Sequence, residues 1–237
     1  LSSTLYWLLL APFRGKFYRF GPTVHQMVRI GAQAVPMAAL TALTIGLVLA
    51  MQGAGTLRTM GATQFVPDLV AVSLLKEMAP MLMAVIVIGR SGSAVTAELG
   101  TMRVSEEIEA LDVMAIHPTS YLIVPRVIAM MIMMPVLTVF GIYVGMFGGW
   151  LIGHFSLHMT TSYFITRALE AILGADILVA MLKSLVFGFL IITIACNEGM
   201  NVRGGAEGVG KATTKSVVNS LLAVFIANAI LTALFYF

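Results

Sequence analysis

Lys76 and Glu77 are the first residues in this sequence whose type and setting suggest chemistry. They stand side by side in LLKEMAP, inside an otherwise apolar run. Charges at such a place are costly in lipid and face a bundle interior or a wet cavity. They either line a cavity and meet a polar head group, or bind neighbouring helices together. Adjacent residues on a helix diverge by about 100°, so the two need not pair with each other. His154 and His158 lie at i,i+4 spacing, with Glu170 and Asp176 the acids nearest in sequence. Two histidines fall short of a metal's usual ligand set, so no metal site is expected. GAEGVGK at 205–211 approaches a phosphate-binding loop, but Ala212 stands where Ser or Thr must hold magnesium. No strand precedes it, so no nucleotide site is expected; a flexible loop is. No nucleophile–base pair or metal cluster stands out, so no catalytic residue is expected and the chain is not read as an enzyme. The single cysteine, Cys196, excludes an internal disulfide framework.

The elements that position these residues follow from composition. Of 237 residues, 59% are hydrophobic and 11% charged, against roughly 25% charged in soluble domains. Continuous apolar runs of about 20 residues fit membrane helices and not the alternating strands of a barrel. The expected fold is an all-α membrane protein with five spans, at about 34–56, 68–89, 122–153, 176–196 and 216–237. Counting from Asp68, Lys76 and Glu77 lie roughly 12 Å into the second span. The third is too long for a simple crossing and is expected to tilt, bend at Pro125 or Pro135, or project from the bilayer. Gly141, Gly145, Gly149 and Gly153 share one of its faces, a pattern that admits a closely packed neighbour. Residues 1–33 mix Trp7, Phe13, Phe17, Tyr18 and Phe20 with Arg14, Lys16 and Arg19. That mixture suits the headgroup layer and predicts interfacial helix broken near Pro12 and Pro22. Residues 34–237 form the five-span domain. Leu5–Ala11 is short, is followed by Pro12 and Arg14, and is not expected to be a cleaved leader.

Basic residues set the expected orientation. Arg14, Lys16, Arg19 and Arg29, then Arg90, Arg103 and Arg126, then Arg203, Lys211 and Lys215 fall on one side; Arg58 and Arg167 fall on the other. The positive-inside rule makes the N-terminus cytoplasmic and the C-terminus periplasmic. The cytoplasmic stretch GRSGSAVTAELGTMRVSEEIEALDVMAIHP at 89–118 is too polar to span. Val104, Ile108, Leu111 and Ala115 recur at helical spacing, with Arg103, Glu106, Glu107, Glu109 and Asp112 around them. This predicts an amphipathic acidic helix at about 99–117, stopped by Pro118, with Arg103 able to pair with Glu107. An acidic helix beside an anionic leaflet suggests a protein partner.

That stretch, the following VPRVIA, and VRGGAEGVGKATTKSVV before the fifth span resemble the MlaE/YrbE family. These are the permeases of MCE-linked lipid ABC transporters, and the resemblance covers about residues 20–237. It implies a homodimer, and the bacterial inner membrane is the default location. It further implies a cytoplasmic ATPase subunit, a periplasmic MCE-domain protein and, in some members, a small STAS-domain subunit. The implied cargo is phospholipid; ATP and Mg belong to the partner ATPase, with no cofactor on this chain and no nucleic-acid partner. It implies that Arg103, Glu106, Glu107, Glu109, Leu111 and Asp112 couple to the ATPase. It also implies a lipid pocket of Leu49, Thr56, Leu57, Met60, Lys76, Glu77 and Met78. Where family members can carry Arg at the basic position, this chain has Lys76, which lacks the bidentate fork. A permease for small polar solutes, which would need more polar residues in its spans, and a membrane scaffold without a lipid pocket are the rival readings.

Overall fold

The structure is a computed structural model that describes residues 20–236. The expected break near Pro12 lies outside the described residues. Among those described there are helices and no strands, and five helical stretches are long and apolar enough to cross a membrane: Gly21–Thr59, Thr63–Val104, Thr119–Phe155, Gly174–Met200 and Gly205–Tyr236. Each is longer than its sequence-based span, because a helix does not stop where apolar residues stop. It runs on while its backbone bonds are met and no breaker intervenes. The second stretch has 42 residues, about 63 Å at 1.5 Å per residue, twice the roughly 30 Å hydrocarbon core.

The chain divides into two compact units. The first comprises residues up to 34, 84–134 and 185 onward. It holds α1 (Phe20–Ile30), the end of α4 (Ala79–Val87), α5 (Ser93–Val104), α6 (Glu107–Val113), the start of α7 (Val124–Phe155), the end of α9 (Gly174–Met200) and α10 (Gly205–Tyr236). Pro22 sits in the first turn of α1, where a missing N–H costs nothing, so it opens this helix and does not break it. Small residues bring α5, α9 and α10 together. A Cβ on Gly199 would meet the Thr96 carbonyl and Leu99, and one on Gly100 would meet Val202. The buried Thr96 hydroxyl lies 2.8 Å from Ser216 Oγ and 3.2 Å from the Ala195 carbonyl. GAEGVGK is the start of α10, not a loop, and Lys211 pairs with Glu207 one turn back at 2.7 Å.

The second unit, residues 35–83 and 135–184, holds α2 (Val35–Thr59), α3 (Val66–Ser73), the rest of α4, α7 and α9, and α8 (Thr161–Ala171). Ala38, Ala42, Gly46, Ala50 and Gly53 form the buried stripe of α2. A Cβ on Gly46 would collide with the Gly145 carbonyl, and one on Gly148 with the Leu43 carbonyl, so α2 and α7 touch backbone to backbone. The glycine face of α7 then serves further neighbours, Gly141 against Met83, Gly149 against Val70 and Gly153 against Phe164. Pro135 sits inside α7 without ending it. Among the described residues there are three π-turns, two inside the second long stretch at Leu74–Met78 and Ile88–Gly92 and one opening the third at Thr119–Ile123. Such turns are rare and concentrate at functional sites.

Candidate functional site

Lys76 and Glu77 occupy the first π-turn, and both reach α9. Lys76 Nζ lies 3.2 Å from Asp176 Oδ1, and Lys183 Nζ donates to Glu77 Oε1 at 2.7 Å and to the Lys76 carbonyl at 2.9 Å. Asp176 and Lys183 are seven residues apart, two turns along one face of α9. The lysine of the π-turn extends toward the start of α9 and the glutamate away from it, so two adjacent side chains bridge two turns. The four charges cancel. The side chains of Lys183 and Asp176 are 0% and 7% exposed, whereas Lys76 and Glu77 keep 27% and 29%. Asp176 also lies in the first turn of its helix, where the dipole favours an anion. The helix-binding reading of Lys76 and Glu77 is therefore realised in the geometry, and both side chains stay partly exposed.

Sequence reasoning misses both partners. It considers Asp176 only as a metal ligand and counts Lys183 only among the few polar residues within the spans. Their seven-residue spacing is the signal. His154 Nδ1 instead lies 3.1 Å from the Met159 carbonyl, and Glu170 faces Arg167 at 3.7 Å. No group of three or more possible metal ligands occurs among the described residues.

An open apolar groove of about 860 Å³ lies in the same unit. Tyr143, Phe147 and Trp150 from one face of α7, Phe164 and Leu169 from α8, and Ile177 from α9 line it. Leu75, the chain neighbour of Lys76, and Gly174, two residues before Asp176, also line it. α8 is an amphipathic helix that the sequence reading leaves unassigned. It buries Phe164 and Ala168, and Arg167 holds it to α3 through Asp68 at 2.6 Å. The i,i+4 spacing of Phe164 and Ala168 is the available signal.

None of the seven residues expected to form a lipid pocket lines this groove. Leu49, Leu57 and Met78 pack against a core cluster of Ala50, Val66, Val70 and Leu74. Thr56 is exposed and Met60 is 73% exposed. These residues and the charged quartet belong to one unit, but not to one enclosed cavity.

The acidic segment differs from the single helix expected at about 99–117. α5 continues the second span to Val104, the chain breaks at Ser105–Glu106, and α6 runs only from Glu107 to Val113. Glu106 takes φ 60° and Ala115 φ 56°, left-handed conformations that end one helix before α6 and the next before Pro118. Ser105 Oγ sits 3.0 Å from the Thr101 carbonyl and donates to Glu107 at 3.0 Å. Arg103 consequently pairs with Glu109, at 3.1 Å, and not with Glu107. Ile108 is buried and Leu111 half-buried, while Val104, Val113 and Met114 are exposed beside Glu106, Glu107, Glu109 and Asp112. Exposed apolar side chains thus stand among exposed acidic ones in this segment.

Residues 23–234 match the family described as Permease MlaE. The chain is 41% identical over 214 residues to a probable ABC transporter permease protein of Synechocystis, covering 90% of this chain and 81% of that one. It is 37% identical over 213 residues to a probable ABC transporter permease protein of Rickettsia prowazekii, covering 90% and 82%. It is also 35% identical over 229 residues to the chloroplastic protein TRIGALACTOSYLDIACYLGLYCEROL 1 of Arabidopsis thaliana, covering 97% of this chain and 65% of that protein.

Proposed function

We infer from one premise, that this chain belongs to the MlaE permease family of ABC transporters, that it moves phospholipid in the bacterial inner membrane. ATP is hydrolysed on a separate subunit that grips α6 and the end of α5. The permease acts as a homodimer, hands lipid to or takes it from an MCE-domain protein, and has its N-terminus in the cytoplasm.

The observation that carries the lipid reading is the pairing of a charge-balanced quartet with an apolar groove in one unit. Lys76 and Glu77 stay partly open although they are ion-paired. A zwitterionic head could exchange partners with them without changing the net charge. The groove offers aromatic and aliphatic walls to acyl chains. A relative named for a glycolipid is in keeping with such cargo. Leu49, Leu57 and Met78, packed against the core cluster, form the wall that would be uncovered when the helices move, with the exposed Thr56 and Met60 at its edge.

Native mass spectrometry of the complex purified through this chain in mild detergent tests the reading. Two copies of the chain with an ATPase and bound phospholipid are expected; a lone oligomer without an ATPase would sink it. In reconstituted vesicles, Glu106→Lys with Glu107→Lys is expected to uncouple ATP hydrolysis from lipid movement. Unchanged coupling would remove the role assigned to α6.

A further inference from the structure

The first unit contains a second charged cluster that the transport reading does not use. A pocket of about 250 Å³ lies where α1 meets the π-turn Ile88–Gly92 and α5, lined by Gln26, Arg29, Gln33, Arg90, Ser91 and Glu98. Arg29 Nη1 donates to Glu98 Oε2 at 2.6 Å, and Arg126, 4% exposed, holds the other carboxylate oxygen at 3.1 Å. Glu98 is thus claimed by two arginines, and Arg90 adds a third guanidinium that pairs with no acid among the described residues. Three cations against one anion leave an excess of two positive charges.

Arg90 is aimed by its neighbours. Its Nη1 donates to the Arg29 carbonyl at 3.2 Å and its Nη2 to Gln33 Oε1 at 3.0 Å. These bonds use two of the five N–H donors of a guanidinium. Beside them, Gln26 Oε1 is buried without a donor, a costly state for an amide oxygen. Spare N–H donors, excess positive charge and one unmet acceptor describe a ligand that is anionic at one atom group and a hydrogen-bond donor at the next. The π-turn that brings Arg90 and Ser91 here is the second of the three, the first being the one that carries Lys76 and Glu77.

The pocket's depth identifies the source. Arg90 is the first charge after the apolar run of α4, the level at which a span leaves hydrocarbon for head groups. Val24 and Val28, one turn apart on α1, are both exposed, an apolar edge suited to the same layer. The volume is below the ~300–1,000 Å³ of sites that engulf a whole drug-sized ligand, and suits a head group.

We propose that this pocket binds the phosphate of a membrane phospholipid whose head group also carries an O–H or N–H, with the phosphate on Arg90 and Arg29 and the donor on Gln26. The site is separate from the quartet of the second unit and does not depend on the transport reading.

The test is photo-cross-linking of the full chain, with the subunits that accompany it, in nanodiscs. The probe is phosphatidylglycerol carrying a diazirine on its head group. Labels are expected on 20–34 and 88–98. Arg90→Gln should lower that labelling about tenfold, the order of a lost charge-assisted bond, while Arg58→Gln should not. In the wild type, unlabelled phosphatidylethanolamine should compete about three- to tenfold better than phosphatidylcholine, an equally zwitterionic lipid that has no head-group donor. Gln26→Leu should erase that preference without removing a charge, and it stands alone if Arg90→Gln fails to fold. Equal labelling in Arg90→Gln, or phosphatidylcholine competing as well as phosphatidylethanolamine, overturns the proposal. Glycerol 3-phosphate competing as well as the lipid would overturn the lipid source and leave a soluble phosphate ester in its place.

Discussion

At the scale of residues, the molecule's most consequential feature is Lys183. It is fully buried in a membrane span and bonded to Glu77 and to the Lys76 carbonyl. A buried ion pair adds little over a well-packed apolar pair, but removing one member leaves a charge poorly compensated. Lys183→Met is therefore expected to cost about 3–5 kcal/mol, read as a fall in melting temperature in detergent. Exchanging the charges, Lys183→Glu with Glu77→Lys, should recover part of that loss. If the double variant melts no higher than the single ones, the pairing is incidental. Arg126 is a comparable buried cation, held by Glu98 and by the Leu122 carbonyl at 2.7 Å. In the sequence it counts only as a basic residue at the edge of a loop.

At the scale of elements, close approach of helices and left-handed breaks decide the geometry. Gly46→Ala would drive a Cβ into the Gly145 backbone, whereas a Cβ on Gly55 would have nothing within 4 Å. We expect Gly46→Ala to destabilise by about 1–3 kcal/mol, as overpacking does. Gly55→Ala should be neutral or slightly stabilising, because Ala is the better helix former. Thermal melts of the two variants side by side check this, and equal melting temperatures would contradict the α2–α7 contact. The break between α5 and α6 rests on Glu106 at φ 60°. Glu106→Gly should stabilise the break by up to about 1–2 kcal/mol, the cost of a left-handed conformation for a residue with a Cβ. Glu106→Val should lower the melting temperature. If Gly and Val behaved alike, Ser105–Glu106 would not hold this conformation in the membrane.

At the scale of the whole molecule, α10 is the least covered of the five long helices, with 11% of its apolar window buried. Leu222, Ile226 and Ile230 are exposed along it at four-residue spacing, so lipid or other protein must cover this row. Orientation is also a property of the whole chain. With Cys196 replaced by Ala, a cysteine in place of Arg58 is expected to react with an impermeant maleimide added outside intact cells. A cysteine in place of Arg203 is expected to react only after lysis. The reverse pattern would invert the assigned topology and move the proposed ATPase contact to the wrong side.

The sequence by itself determined the class of molecule, the number of spans and the family, because each depends on sums or long patterns. Five apolar runs can satisfy their backbones in lipid only as helices, and the stretches at 89–118 and 202–218 are long enough to be specific. The glycine row at 141–153 was legible as a packing face for the same reason of periodicity. What it packs against was decided by tertiary structure, since α2, Met83, Val70 and Phe164 come from distant parts of the chain. The partners of Lys76 and Glu77 likewise lie about a hundred residues away on α9. Arg29, Glu98 and Arg126 also come together from three separate elements, Arg29 and Glu98 being 69 residues apart. The interruption of the acidic helix at Glu106 escaped periodicity because a single left-handed residue changes a helix's direction without changing the spacing of its apolar side chains. Side-chain pairing, π-turns and local backbone hand are settled by which helices come to lie beside each other, and no window along one chain contains that information.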